Sequence, residues 1–218
     1  MKKTTQHGAK IYTPLTLKLY DWWVLGVSNR FAWQCSTSEA LVPHFKNHAG
    51  KRHLDIGAGT GFYLQHLSPD SDVWVMDMNA NSLAAAQQRV SHTHHITTIK
   101  HDIYDPLPQQ CAGQFDSVSL YYLLHCLPGT MTEKAIAIRN AASALSPKGV
   151  LFGATILGDD ANHNMFGKKL MSFYNAKRIF SNKKDNEPAL RHVLTALFEQ
   201  VEISCIGKVA LFSASSRR

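Results

Sequence analysis

The sequence predicts an α/β chain, a doubly wound, mostly parallel sheet ending in an antiparallel hairpin. Three observations carry this expectation. Short apolar runs alternate with helix-patterned stretches between residues 50 and 155, the rhythm of strand–helix crossovers in a parallel sheet. The stretch His53-Leu54-Asp55-Ile56-Gly57-Ala58-Gly59-Thr60-Gly61 reads as a strand running into a glycine turn and then a helix. Glycine is needed there because the backbone must take positive φ or come close to a ligand. Residues 200–206 and 208–214 are two strand patterns joined at Gly207, which leaves room for a hairpin and none for a crossover.

Taken in order, residues 1–10 are polar. From residue 15 to 33 large apolar side chains recur at helical spacing (Leu17, Tyr20, Trp23, Val24, Val27, Phe31). This predicts one or two short helices broken near Gly26 or Ser28-Asn29, serving either as a cap on the sheet edge or as an aromatic lid. Ser36 with Glu39 is a capping-box signature that opens a helix through Phe45. Helical spacing continues after the glycine turn through Leu67, and Ser68-Pro69-Asp70-Ser71 is a turn. Residues 72–76 form a strand ending at Asp77, residues 81–90 an alanine-rich helix capped by Asn79 or Asn81, and residues 96–100 a third strand. The fourth strand is 115–121. Thr130 with Glu133 opens a helix reaching Leu145, which Ser146-Pro147-Lys148-Gly149 ends ahead of a fifth strand, 150–155. Helical patterns around 165–180 and 188–198 precede the hairpin.

At 218 residues the expectation is one domain, large enough to bury roughly 70% of its unfolded surface. Within it, residues 1–49 form a helical cap or lid and 50–155 the core. Residues 156–197 form a helical insertion and 198–218 the hairpin. An apolar fraction of 44% with 18% charged residues is that of a globular protein. No apolar run reaches the roughly 18 residues of a membrane span. Lys18 and Asp21 interrupt the stretch after Lys2-Lys3, so no secretory signal is expected. The four widely spaced cysteines read as free thiols in a reducing cytoplasm. The net charge of +7 is scattered apart from Lys177-Arg178 and Lys183-Lys184 and reads as a solvated basic surface. No metal site is expected, since the histidine-rich loop 91–95 has no partner ligands at suitable spacing.

Open parallel sheets bind ligands at the carboxyl ends of their strands. Four features sit at such ends: the turn of Asp55, Gly57, Gly59 and Gly61, then Asp77, Asp102 and Tyr121. Asp77 lies at the distance from Gly57 where a carboxylate can take both hydroxyls of a ribose. Asp102 can receive an exocyclic amine of adenine, and Met78 and Ile103 can sandwich the ring. A dinucleotide fingerprint would need its third glycine where the chain has Phe62.

The pattern Asp-x-Gly-x-Gly-x-Gly resembles motif I of the class I S-adenosylmethionine-dependent methyltransferases. Asp77 resembles their ribose-binding acid, His101-Asp102-Ile103 their adenine-binding motif, and the stretch Phe115 to Pro128 motif IV with its extension in small-molecule enzymes. The resemblance covers about residues 50–155 and the hairpin. It implies a seven-stranded Rossmann-like sheet with an antiparallel last strand, S-adenosyl-L-methionine as cofactor and a small-molecule acceptor. Nucleic acid is not expected as substrate, because Tyr121-Tyr122-Leu123-Leu124 stands where amino-methylating nucleic-acid enzymes carry Asn/Asp-Pro-Pro-Tyr. The alternatives are an RNA- or protein-modifying methyltransferase and an inactive binding protein of the same fold. Tyr20, Trp23, Trp33, Tyr121 and Tyr122 could supply rings to a sulfonium. Some enzymes resembling this one carry a histidine where His125 stands, in one group paired with an amino-terminal tyrosine, here Tyr20. That makes the two residues a candidate catalytic pair, with His125 either a general base or a structural residue of the turn before Pro128.

Overall fold

The computed structural model describes residues 21–158 and 161–218. Its strands are β1 (Arg52–Ile56), β2 (Asp72–Asp77), β3 (Ile96–Lys100), β4 (Phe115–Tyr121), β5 (Leu145–Ile156), β6 (Phe198–Ile206) and β7 (Val209–Arg217). They form a single sheet in the order β3-β2-β1-β4-β5-β7-β6. The first five run parallel, and β7 enters antiparallel to β5 and β6. Strand order reverses between β1 and β4, so the carboxyl ends of these two neighbours open a crevice.

The helices are α1 (Asp21–Ala32, wound in a wider π-type spiral), α2 (Val42–His48), α3 (Ala80–Val90), α4 (Met131–Ser143), α5 (Met165–Ala176) and α6 (Glu187–Thr195). Several begin where the sequence places a cap. Ser36 Oγ accepts the Glu39 N–H at 3.2 Å, opening a turn over Thr37–Leu41 that continues into α2. Asn79 caps α3, and Thr130 with Glu133 closes a capping box on α4.

Alternation along the central strands sorts side chains into two cores. Leu54, Ile56, Met76, Val118 and Leu120 face α4 and α6. Val73, Val75, Tyr121 and Phe152 face α2 and the segment after the glycine turn. Among the described residues no helix is long and apolar enough to cross a membrane.

Three elements differ from expectation. The helix after the glycine turn is only a 3₁₀ turn, Tyr63–His66, because Ser68-Pro69 follows at once and the residue before a proline avoids the α region. β5 begins at Leu145: its pairing with β4 passes from Leu145 to Val150 through an irregularity, so Ser146-Pro147-Lys148-Gly149 forms a bulge within the strand. α1 runs through Gly26 and Ser28-Asn29 without a break. Residues 15–20 of that pattern lie outside the described residues.

Candidate functional site

A cavity opens at the crevice between β1 and β4. Its wall brings together eight of the nine residues singled out at the strand ends: Asp55, Gly57, Gly59, Asp77, Met78, Asp102, Ile103 and Tyr121. Gly61 stands just behind it, where a Cβ would lie 2.8 Å from Ala86 Cα on α3.

The glycine turn is shaped by two requirements. Gly57 has φ +78°, and a Cβ there would meet Leu123 at 2.8 Å. Gly59, at φ +56°, has nothing within 4 Å of that position. It lines the cavity, so a side chain there would occupy the ligand's space. This is a cradle of bare backbone beside carboxylates.

Asp77 Oδ1 accepts the Asn79 N–H at 2.8 Å, and the N–H groups of Gly59 and Met78 also point to the carboxylate. Burial raises its pKa to about 6 despite these bonds. Asp55 lies deeper, with Oδ1 accepting Ser119 Oγ–H at 2.5 Å. Burial drives its pKa up to about 7, with Ser119 opposing and the nearby Asp77 adding to the rise. Asp102 Oδ1 accepts the Tyr104 N–H at 3.1 Å. Two desolvated carboxylates beside an open cavity favour a ligand that brings positive charge and hydroxyl donors.

The rest of the wall is apolar and aromatic: Leu25 from α1, Tyr63, Tyr122, Leu123, Leu127 and Ile179. α1 therefore contributes Leu25 to the cavity wall. Tyr122 holds the left-handed conformation at φ +58°, a strained position for a bulky residue. Its hydroxyl donates to Asn29 Oδ1 of α1 at 2.7 Å. A second fastening ties α1 to the glycine turn. Asp21 accepts Thr60 Oγ–H at 2.6 Å and Arg89 Nη2–H at 2.5 Å, and Arg89 Nε also donates to the Thr60 carbonyl.

Tyr121 lines the cavity with its ring against Tyr63, 4.4 Å between centroids. Its hydroxyl lies 2.6 Å from His44 Nδ1 of α2. Burial pushes the phenol upward and holds His44 down at about 4, so the contact joins a neutral hydroxyl and a neutral imidazole.

His125 does not line the cavity. It is buried, and its Nδ1 accepts the Ile156 N–H at 3.2 Å with Thr155 Oγ1 at 3.4 Å. Its ring packs on Phe180 and Tyr122. Burial lowers its pKa to about 3, and the one lone pair of the neutral ring is already taken. Tyr20, its expected partner, lies outside the described residues. Trp33 is buried against His163 and Phe180, and Trp23 packs on Phe166 and Tyr174. Neither reaches the wall.

Sequence reasoning missed Leu25, Ile179, Asp21, Thr60 and Arg89. Asp21 and Arg89 were visible only as charges on helical patterns, and nothing local pairs residues so far apart. Among the described residues no group of histidine, cysteine or acidic side chains could hold a metal ion.

A family model described as a methyltransferase domain matches residues 54–151. YbcY of Escherichia coli (strain K12) is 53% identical over 89% of the chain and all of its own length. The physcion biosynthesis cluster O-methyltransferase of Aspergillus chevalieri is 38% identical, covering 96% of the chain and 95% of that enzyme. Among solved structures, the N-methyltransferase NodS of Bradyrhizobium japonicum WM9, in complex with S-adenosyl-L-homocysteine, aligns with a TM-score of 0.59 at 19% identity. The alignment covers 82% of the chain and 84% of NodS, a likeness of fold.

Proposed function

The chain belongs to the methyltransferase family, and from that premise we propose that it moves a methyl group from S-adenosylmethionine to a hydroxyl of a small, largely apolar acceptor. The observation that carries the reading is the meeting of the glycine cradle, Asp77 and Asp102 on one cavity wall. The S-adenosyl-L-homocysteine bound in NodS supports the choice of cofactor, and the Aspergillus relative's name as an O-methyltransferase supports a hydroxyl acceptor. Four free thiols fit a cytoplasmic setting.

The cofactor, when bound, supplies an electrophilic methyl group on a sulfonium. Asp77 would accept the ribose hydroxyls and Asp102 the adenine amine, with Met78 and Ile103 on either side of the ring. Asp55 would face the cationic end of the ligand. The faces of Tyr121 and Tyr122 would stabilise positive charge at the reacting end. Leu25 and Ile179, on the apolar part of the wall, would exclude water and hold the acceptor close, an effect worth roughly 7–11 kcal/mol when orientation is complete. We assign His125 a structural role, holding the Ile156 N–H behind the wall, and leave proton removal outside its duties.

Calorimetry tests this reading. S-adenosylmethionine and its demethylated product should bind at micromolar-range Kd, and Asp77→Ala should weaken both. Binding of a nicotinamide dinucleotide with neither of these ligands would overturn it.

A further inference from the structure

On the α2 side of the sheet, four polar side chains form a row through an otherwise apolar layer. His53 and Asp55 alternate along β1, and Ser117 and Ser119 face them on β4 in the pairs His53–Ser117 and Asp55–Ser119. All four are at most 3% exposed, and the rings of Phe45 and Phe152 pack on the imidazole. Polar groups in such a layer are costly unless each donor and acceptor is met.

They are met in one direction only. The Gly50 N–H can only donate, and it gives its proton to Ser117 Oγ at 2.7 Å. The Ser117 proton then goes to His53 Nδ1 at 2.7 Å. His53 must carry its own hydrogen on Nε2, which donates to Ser119 Oγ at 3.1 Å. Ser119 in turn donates to Asp55 Oδ1 at 2.5 Å. Running the row backwards would deliver two protons to Ser117 and leave its own hydroxyl hydrogen without an acceptor among the described residues. Burial keeps the imidazole neutral, so the row is a fixed string of dipoles ending on a carboxylate. An apolar His53 and two alanines would fill the layer without that desolvation cost.

We infer that His53, Ser117 and Ser119 are positioning residues: they favour the ionised form of Asp55 against its burial, anchoring one oxygen below the cavity floor and leaving the other to be presented to the cationic end of the cofactor. The inference rests on the cofactor reading above and adds residues that touch neither cofactor nor acceptor.

The test pairs a spectroscopic readout with affinity. Nitrogen-15 NMR of the imidazole should show His53 in the wild type as the Nε2–H tautomer, with bare Nδ1. Ser119→Ala should weaken S-adenosylmethionine binding by roughly tenfold, the scale expected when a hydrogen bond to a charged group is lost. Ser119→Thr, which keeps the hydroxyl, should restore the affinity. A His53 found as the Nδ1–H tautomer, or a folded Ser119→Ala that binds as tightly as wild type, overturns the inference. If Ser119→Ala does not fold, the wild-type tautomer and the affinity of Ser119→Thr decide. A wild type that shows the expected tautomer but binds no S-adenosylmethionine defeats the cofactor reading and leaves the oriented row standing.

Discussion

The two halves of the cavity are built on opposite principles. The half at the ends of β1, β2 and β3 is bare backbone and carboxylates, with two acids whose pKa values burial has raised. The half that takes in Leu25 of α1 is apolar and aromatic, walled also by Tyr122, Leu123, Leu127 and Ile179. On the proposed function, one half would recognise a ligand through fixed polar groups. The other would select by shape and by excluding water. Fixed polar recognition should be intolerant of change, and an apolar wall should degrade gradually.

The largest expected effect follows from the cradle. Gly59→Val should weaken S-adenosylmethionine binding by about 100-fold or more, since the side chain enters ligand space at a positive φ that also strains it. Titration calorimetry reads this, and a loss below tenfold would mean that the ligand does not lie against the turn. Next comes His125→Ala. It orphans the Ile156 N–H and leaves a void beside Phe180, so stability should fall by about 2–4 kcal/mol in denaturant. Turnover per folded, liganded enzyme should persist. A kcat loss of about 10² or more at unchanged stability would instead make the histidine a base.

On the apolar side, Ile179→Ala should raise acceptor KM by about tenfold while cofactor affinity holds, the scale of a few methylenes lost from a hydrophobic wall. Equal weakening of the cofactor would erase the division between the halves. The smallest effect is in pH. Asp55 and Asp77 have folded pKa values of about 7 and about 6, above their ordinary 3.8. The stability they contribute is complete below pH 4 and is lost as pH rises through 6 and 7. His53 and His125, held down at about 3, act in the other sense. Their contribution is present above 6.5 and lost as pH falls toward 3. Asp55→Asn should therefore gain stability over wild type between pH 5 and 8 in thermal melts of the ligand-free protein. No gain would mean that Asp55 is not the costly group.

The polar half was legible because each contribution carries its own local signal. A glycine spacing, an acid ending β2 and an acid after β3 need only the rule that strand ends converge. The apolar half is assembled from α1, the stretch after β4 and Ile179, and Leu and Ile at those places look like core. The row beneath Asp55 was hidden for a related reason. His53 and two serines read as imperfections in apolar strands until the β1–β4 register sets them opposite each other. His125, a suitable residue type at a suitable strand end, does not line the cavity and accepts the Ile156 N–H on Nδ1, which the sequence does not reveal.

The Asp21–Thr60–Arg89 fastening has a consequence for how the two halves work together. Thr60 sits inside the glycine turn and Asp21 begins the helix that lends Leu25 to the cavity wall, so neither can shift without disturbing the hydrogen bonds and salt bridge that join them with Arg89. On the proposed function, a ligand that steadies the turn would also steady α1, and by thermodynamic reciprocity an acceptor that steadies α1 would tighten the turn's hold on its own ligand by the same factor. The two binding events would then communicate through the Asp21 carboxylate as well as through the ligands' own contact, and the enzyme would fill its two halves cooperatively.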